Sequence, residues 1–349
     1  MSKDIEIAEI CGGITRPVNE RLLPLHFVNK GSFEDWLEGR AIDYHRTNSR
    51  LLKKALRLTT ASDMEVVLAV NAATITDTYW FKPAGSELMY DNVHFKENMF
   101  DKLALYGDPE SFNNGNGICQ TPELTNIGSF EKCWSIIGNE WWMYKRGSER
   151  ELFSELFIYE IGVSLGFDMA RYEAAGNYIR CLDFTGGAKV NYEPAAGIVG
   201  KEEDYDINFI ALEKLSKKCA EDYIKMVYLD ALCFNMDRHT NNYGILRNIE
   251  DGGVLGMAPN FDNNIALIST GYLQNTKREN DLLISLFIDF LKNNNDALCL
   301  FLGMGIPEAN REMVETCLNK IPYEVNREYI HKFIQNGQKR LSSDINGIK

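Results

Sequence analysis

Residues 235–244 read NMDRHTNNYG. Asp237, Arg238 and His239 stand together, and Asn242 follows Asp237 by five positions. The stretch before the cluster, 220–234, spaces Tyr223, Met226, Val227, Ala231 and Phe234 along one apolar face, so the cluster is expected in the loop that leaves a helix. The stretch after it reads as a hairpin over 243–257, with strand-like 243–247, the turn signal NIEDGG at 248–253 and a return over 254–257. The return strand runs into Asn260, Phe261 and Asp262. In an antiparallel hairpin the start of one strand lies about 5 Å from the end of the other. Asn242 and Asp262 are therefore expected side by side. An amide oxygen and a carboxylate at one hairpin base are hard donors that suit magnesium. Asp237, in the loop ahead of them, is placed to accept or orient the proton of an attacking hydroxyl. Metal ligands for phosphates beside a carboxylate for the nucleophile is the division of labour that phosphoryl transfer needs. Each residue alone is more ordinary as a loop residue satisfying backbone groups. The ordered set carries the reading, with Arg238 and His239 as structural supports.

A second constellation lies upstream. Lys132–Ile137 and Glu140–Lys145 are two apolar, aromatic-rich runs joined by Gly138-Asn139, which suits a tight two-residue hairpin turn. Lys145 closes the run WWMYK, where a lysine can reach nucleotide phosphates. A carboxylate on the helix expected at 148–165 would hold it, and Glu151 and Glu155 are the candidates. Gly166 stops that helix as a C-terminal glycine does. The stretch TNIGSFEK at 125–132 contains Gly128-Ser129 and can form a phosphate-covering loop, because glycine lets backbone N–H groups approach phosphate oxygens. No Walker A pattern and no GxGxxG occurs, which argues against P-loop and Rossmann folds.

Further strands are expected near 169–174 and 178–184, and mainly helix beyond them apart from the 243–257 hairpin. Up to about residue 106 the chain reads as mostly helical. Helix-like spacing covers 33–41 and 47–58, a capping box of Ser62 with Glu65 opens 62–73, and 77–82 (DTYWFK) reads as a short strand stopped by Pro83. Tyr79, Trp80 and Phe81 are read as core. Residues 107–117, rich in Gly and Asn, are the expected linker.

The chain has 349 residues, 45% hydrophobic and 25% charged, which is ordinary for a globular protein. Fifty acidic against 37 basic residues give a net charge of −13, so no global pull on nucleic acid or anionic membrane is expected. The eight cysteines form no CxxC pair, and several, such as Cys233 and Cys299, lie in apolar runs, so reduced, buried thiols are expected rather than a zinc site. The first residues lack an apolar stretch suited to a signal peptide, and no run of 18 apolar residues marks a membrane span. A cytoplasmic protein is expected.

NMDRHTNNYG resembles the signature NxDRHxxNxG of the HipA-like serine/threonine kinases, without a gap. Its DRHxxN order is also similar to that of phosphoinositide kinases. The stretch TNIGSFEKCWSIIGNEWWMYK is similar to the phosphate-binding loop and lysine strand of the HipA-like family, and the resemblance covers roughly 120–340. It implies an α+β, bilobed protein-kinase-like fold with a small sheet-containing N-lobe, a larger mainly helical C-lobe and a mostly helical N-terminal extension. The corresponding regions are 1–110 (accessory), 118–184 (N-lobe) and 185–349 (C-lobe). It further implies ATP and Mg2+ bound in the cleft between the lobes, Asp237 as catalytic aspartate, Asn242 and Asp262 as magnesium ligands, and Lys145 as nucleotide lysine with Glu155 as its helix partner. Gly128 and Ser129 would lie in the phosphate loop, and Cys181 to Asp183 near the adenine-binding hinge. By the same resemblance Thr125, with Ser129 as alternative, is the expected autophosphorylation site, the substrate is a protein, and an antitoxin-like regulator is a possible partner. Two other readings stand beside this one: a kinase of phosphoinositides or small molecules, and a catalytically silent nucleotide- or partner-binding module.

Overall fold

The structure is a computed structural model and describes residues 1–96, 100–108, 120–270 and 276–348. Most of the expected linker at 107–117, from residue 109 on, lies outside the described residues, as does Cys119. In chain order the elements are β1 (Ala8–Cys11), β2 (Ile14–Pro17), α1 (Leu25–Val28), α2 (Phe33–Glu38), α3 (Thr47–Ala55), α4 (Asp63–Leu68), α5 (Tyr90–Val93), α6 (Asp101–Tyr106), β3 (Lys132–Ile137), β4 (Glu140–Lys145), α7 (Glu149–Ser164), β5 (Tyr172–Ala175), β6 (Tyr178–Leu182) and β7 (Val190–Pro194). There follow α8 (Ala196–Val199), α9 (Tyr205–Glu213), α10 (Lys217–Cys233), β8 (Gly244–Asn248), β9 (Val254–Met257), α11 (Leu282–Asn293), α12 (Asn295–Met304), α13 (Arg311–Leu318) and α14 (Arg327–Asn346). The chain divides into two compact units. The first is Met1–Arg146 with Asn177–Glu193 and Leu246–Leu255; the second is Gly147–Gly176 with Pro194–Ile245 and Gly256–Lys349.

In the first unit, β3 and β4 pair antiparallel about Gly138 and Asn139, whose φ of 60° and 68° are the left-handed values a two-residue turn of this hand requires. β6 adds to the other side of β4. Helices α2, α3 and α4 lie where helical spacing predicts them. Ser62 and Glu65 close the expected capping box, with the Ser62 N–H donating to Glu65 Oε2 at 2.7 Å. Two expectations are corrected. The first hundred residues also hold the hairpin β1–β2, turned at Gly12-Gly13, both at positive φ. And 77–82 is not a strand. Tyr79 makes a single bridge to Ser2, because the neighbouring N–H groups go elsewhere: Thr78 to Asn191 Oδ1, Tyr79 to Asp77 Oδ1 and Phe81 to Asn71 O. With those three donors committed, the crossing is reduced to the Trp80 N–H, which donates to Met1 O at 3.1 Å. Trp80 is core as expected, packed with Leu52, Val66, Val93, Leu124 and Trp134.

In the second unit, α7 opens with a capping box in which Ser148 N donates to Glu151 Oε2 at 2.7 Å, and Gly166, at φ 79°, follows its last turn. Helix α10 packs against α9, α11, α12 and α14. It ends at Phe234 in a left-handed conformation. Its orphaned last carbonyls are met by the buried guanidinium of Arg278, which donates to Ala231 O at 2.6 Å and Leu232 O at 2.8 Å. Asp281, the N-cap of α11, accepts from Arg278 Nε. The guanidinium fits because α14 carries a glycine there: a Cβ on Gly337 would lie 2.8 Å from Arg278 Nη1. One buried cation thus fixes where α10 stops and where the 235–239 loop begins. The expected hairpin is present, with Ala258 N donating to Gly244 O and, near its turn, Asn248 N to Gly253 O.

Cys133, Cys181, Cys219, Cys233 and Cys317 are buried free thiols, while Cys299 is exposed, against expectation. The helical period turns Ala297 and Phe301 of α12 inward and leaves position 299 outside. Among the described residues no helix is long and apolar enough to cross a membrane.

Candidate active site

The loop after α10 is organised by Arg238. Its Nε and Nη2 donate to the two oxygens of Asp230, each at 2.9 Å, a bidentate pair on the last turn of α10. Nη1 donates to the carbonyls of Asn242 and Phe261, both at 2.8 Å. Nη2 also reaches Asn260 Oδ1 at 3.0 Å and Asn263 Oδ1 at 2.6 Å. A single side chain, 5% exposed, therefore ties the end of α10, the entry to β8 and the loop after β9. Burial alone would favour losing its charge, but Asp230, helped by Asp262 and Glu155, outweighs that and holds the guanidinium above its ordinary value.

The three expected catalytic and metal residues sit on this frame. Asp237 is partly exposed, its N–H donates to Asn235 Oδ1 at 3.1 Å, and its carbonyl accepts from Asn242 Nδ2 at 2.7 Å. That bond fixes the Asn242 amide, spending its nitrogen and leaving Oδ1 as the acceptor end. Asp262 stands in the left-handed region at φ 60°, which L residues rarely adopt. It is held there from both sides: its own N–H meets Tyr172 Oη of β5 at 3.2 Å, and the next N–H, Asn263, donates to Glu155 Oε1 of α7 at 2.6 Å. Non-glycine backbone in this region, pinned by its surroundings, is a common mark of functional loops. Glu155 is fully buried, with its Oε1 the acceptor of the Asn263 N–H. Glu151, the other candidate partner for Lys145, has its carboxylate on the capping box. His239 Nδ1 accepts from Asn241 N at 3.3 Å. Asp230, Asn235, Asn260 and Asn263 were not read from the sequence as site residues. Asn235 carried a signal, as the first residue of the quoted motif. The other three are reached only through Arg238.

The first unit holds the nucleotide-side candidates. Lys145, 3% exposed, stands opposite Lys132 in the β3–β4 register and opposite Ile179 of β6. Its Nζ lies 5.2 Å from the Phe130 ring centroid, within cation–π range. Gly128 has φ 103°, and a Cβ there would lie 2.5 Å from Lys132 Nζ. Ser129 is exposed. The carbonyls of Asn126 and Gly128 both accept from Arg46, a buried arginine at the N-terminus of α3, the second at 2.5 Å. Burial pushes the Arg46 guanidinium down to about 10, against the pull of Glu123, Glu131 and Asp43, so it stays charged at neutral pH. Thr125 is 6% exposed, and its hydroxyl donates to Ala73 O at 2.8 Å. Cys181 is buried and faces Met143 in the β4–β6 register. The Asp183 carboxylate accepts from the N–H groups of Thr185 and Gly187 and from Thr185 Oγ1, so it builds the turn after β6. Burial raises its pKa, opposed by those hydrogen bonds.

Among the described residues no group of three or more His, Cys, Asp and Glu side chains gathers as a metal site. Asn242 and Asp262 stand at the two ends of the β8–β9 hairpin, whose flanking carbonyls, Asn242 O and Phe261 O, share the Arg238 Nη1 donor.

No protein-family model matches the chain, and no curated protein matches it. Solved structures do. HipA of Shewanella oneidensis MR-1, seen in the complex of its toxin–antitoxin system with HipB and operator DNA, superposes with a TM-score of 0.61 over 99% of this chain and 96% of its own, at 13% identity. The Helicobacter pylori proinflammatory kinase CtkA superposes with a TM-score of 0.51 over 62% of this chain and 94% of its own, at 20% identity. At such identities the likeness shows the fold. The fold is α+β and is that of the HipA-like kinases.

Proposed function

We propose that this protein is an ATP- and magnesium-dependent kinase that phosphorylates serine or threonine hydroxyls of a protein substrate. The observation that carries the proposal is the Arg238 frame, in which one buried guanidinium beside Asp237 holds Asp230 and the carbonyls of Asn242 and of Phe261, the neighbour of Asp262, on a HipA-like kinase fold. The donor chemistry suits magnesium: Asn242 offers an amide oxygen whose nitrogen partner is already bonded, and Asp262 offers a carboxylate held at a fixed backbone angle. Bound magnesium would neutralise charge on the transferring phosphate. Asp237, on a loop tied at its N–H and its carbonyl, would receive or orient the proton of the attacking hydroxyl. Glu155 and Tyr172 would keep the Asp262 backbone in place. Lys145, Gly128 and Ser129 would address the ATP phosphates. Cys181 and Asp183 would border the adenine, Cys181 through its strand and Asp183 through the turn it builds.

In this reading residues 118–184 carry the nucleotide groups, 185–349 the transfer groups, and 1–110 an accessory region. Autophosphorylation would fall more readily on exposed Ser129 than on Thr125, whose hydroxyl must first leave Ala73 O. The Shewanella structure holds a protein partner and DNA, which supports an antitoxin-like regulator for this chain. A net charge of −13 is then too weak a ground for excluding nucleic acid from such an assembly. A cytoplasmic location accords with this reading.

The test is transfer of labelled γ-phosphate in the presence of magnesium, with protein acceptors in one arm and phosphoinositide vesicles in the other. Acid-stable label on protein serine or threonine is expected. Label on the lipid alone would replace the reading with a lipid kinase, and no transfer in either arm would leave a silent binding module.

A further inference from the structure

Residues 122–132 are held along their length by the first 75 residues of the chain. Ile42 N donates to Leu124 O at 3.0 Å. Thr125 Oγ1 donates to Ala73 O at 2.8 Å. Arg46 donates to Asn126 O and, through Nε, to Gly128 O at 2.5 Å. Asn48 N, in the first turn of α3, donates to Glu131 Oε1 at 3.1 Å. The Arg46 contacts fall on the part of this segment that contains Gly128 and Ser129. Arg46 itself is 2% exposed, so its fork has little water to turn to and is fixed on these carbonyls.

A trans peptide sets the C=O of one residue opposite the N–H of the next. With the carbonyls of Asn126 and Gly128 turned onto Arg46, the N–H groups of Ile127 and Ser129 must face away from it. Both residues are exposed, and among the described residues neither N–H is hydrogen-bonded. Gly128 lies between them at φ 103°, a value that favours glycine. Backbone N–H groups turned to one side of a loop can receive an anion. Two cations in cross-strand register stand at the base of the same loop. Lys132 has its Nζ against Gly128, and Lys145 has its Nζ against the Phe130 ring.

We propose that Arg46 is a positioning residue for ATP: from the accessory region it clamps the carbonyls of Asn126 and Gly128, so that the N–H groups of Ile127 and Ser129 are presented to the nucleotide's phosphates. This rests on the ATP reading above and gives residues 1–110 an indirect part in nucleotide binding, through the loop they hold. Arg46 touches no phosphate itself. It acts through the loop, so its loss should weaken recognition of phosphates and leave recognition of the nucleoside alone.

The experiment is calorimetric titration of wild-type protein, Arg46→Lys and Arg46→Met with magnesium-ATP and, separately, with adenosine. Arg46→Lys keeps the charge but not the fork, and provides the comparison should the methionine variant fail to fold. The expected result is ATP affinity reduced about tenfold in the variants, the worth of one charge-assisted hydrogen bond, with adenosine affinity changed by less than about twofold. An unchanged ratio of ATP to adenosine affinity would overturn the proposal, whether both affinities hold or both fall together. A wild-type protein that binds adenosine and ATP equally would overturn it as well. Wild-type protein that binds neither would instead sink the ATP reading on which the proposal stands.

Discussion

Arg238 is a buried charge with its partners complete, and that makes it costly to remove. Asp230 would be left 1% exposed without its bidentate cation, and four carbonyl or amide oxygens around the loop would lose the Arg238 donor. Breaking a buried pair from one side typically costs about 3–5 kcal/mol. Arg238→Met should therefore lower the unfolding free energy by that order, measured as a fall in urea midpoint at unchanged slope, whereas Arg238→Met with Asp230→Leu should recover much of it. A single variant as stable as wild type would mean that the guanidinium does not organise the loop. At this scale the sequence displayed the chemistry but hid the scaffold. Asp237, Asn242 and Asp262 stand out as residue types at a spacing. Asn260, Asn263 and Asp230 are ordinary until Arg238 is seen to touch them. Arg46 is the clearest case, since about 80 residues separate it from the carbonyls it holds and no local pattern marks it.

Elements follow the sequence wherever the determinant is local. The Gly138-Asn139 turn and the two Ser-x-x-Glu caps are where the residues put them, because each is a bond between near neighbours. The stretch 77–82 departs because its N–H groups are claimed by Asn71, Asp77 and Asn191, one of which lies more than 100 residues away. The Gly12-Gly13 hairpin was not read from the sequence, because its four-residue strands are too short to announce themselves. The α4 cap carries a pH prediction. Hydrogen bonds from Ser62 hold the Glu65 carboxylate below its ordinary value of 4.5. A carboxylate with a lowered folded pKa stabilises the fold fully above its unfolded value and ceases to do so as pH falls through the folded one. The stability difference between wild type and Glu65→Gln should therefore be present at neutral pH and shrink on acidification below 4.5, followed by thermal unfolding against pH. A pH-independent difference would contradict the assignment. Helix α14 supplies a second test. Glycine to alanine in a helix interior ordinarily stabilises by about 0.5–1 kcal/mol. At Gly337 the new methyl would lie 2.8 Å from Arg278 Nη1, on a guanidinium pinned by two carbonyls and Asp281. Gly337→Ala should therefore destabilise instead, and a rise in melting temperature would show that Arg278 can yield.

For the whole molecule, the order of strand, strand, helix, strand, strand and then mostly helix was already visible in the sequence, and the solved HipA and CtkA structures share the resulting fold. The substrate was not visible, because identities of 13% and 20% carry architecture and not specificity. The central claim is that Asp237 serves the attacking hydroxyl while Asn242 and Asp262 serve the metal, on one frame. The direct measurement is the single-turnover rate of phosphate transfer from magnesium-ATP, with ATP affinity measured beside it, for wild type, Asp237→Ala and Asp262→Ala. A positioned proton acceptor is worth about 100-fold or more in rate. The account predicts a loss of at least that order in Asp237→Ala with ATP affinity nearly unchanged, and a loss of both rate and magnesium-dependent affinity in Asp262→Ala. Wild-type transfer by Asp237→Ala, or affinity in Asp262→Ala that still responds to magnesium as wild type does, would contradict it.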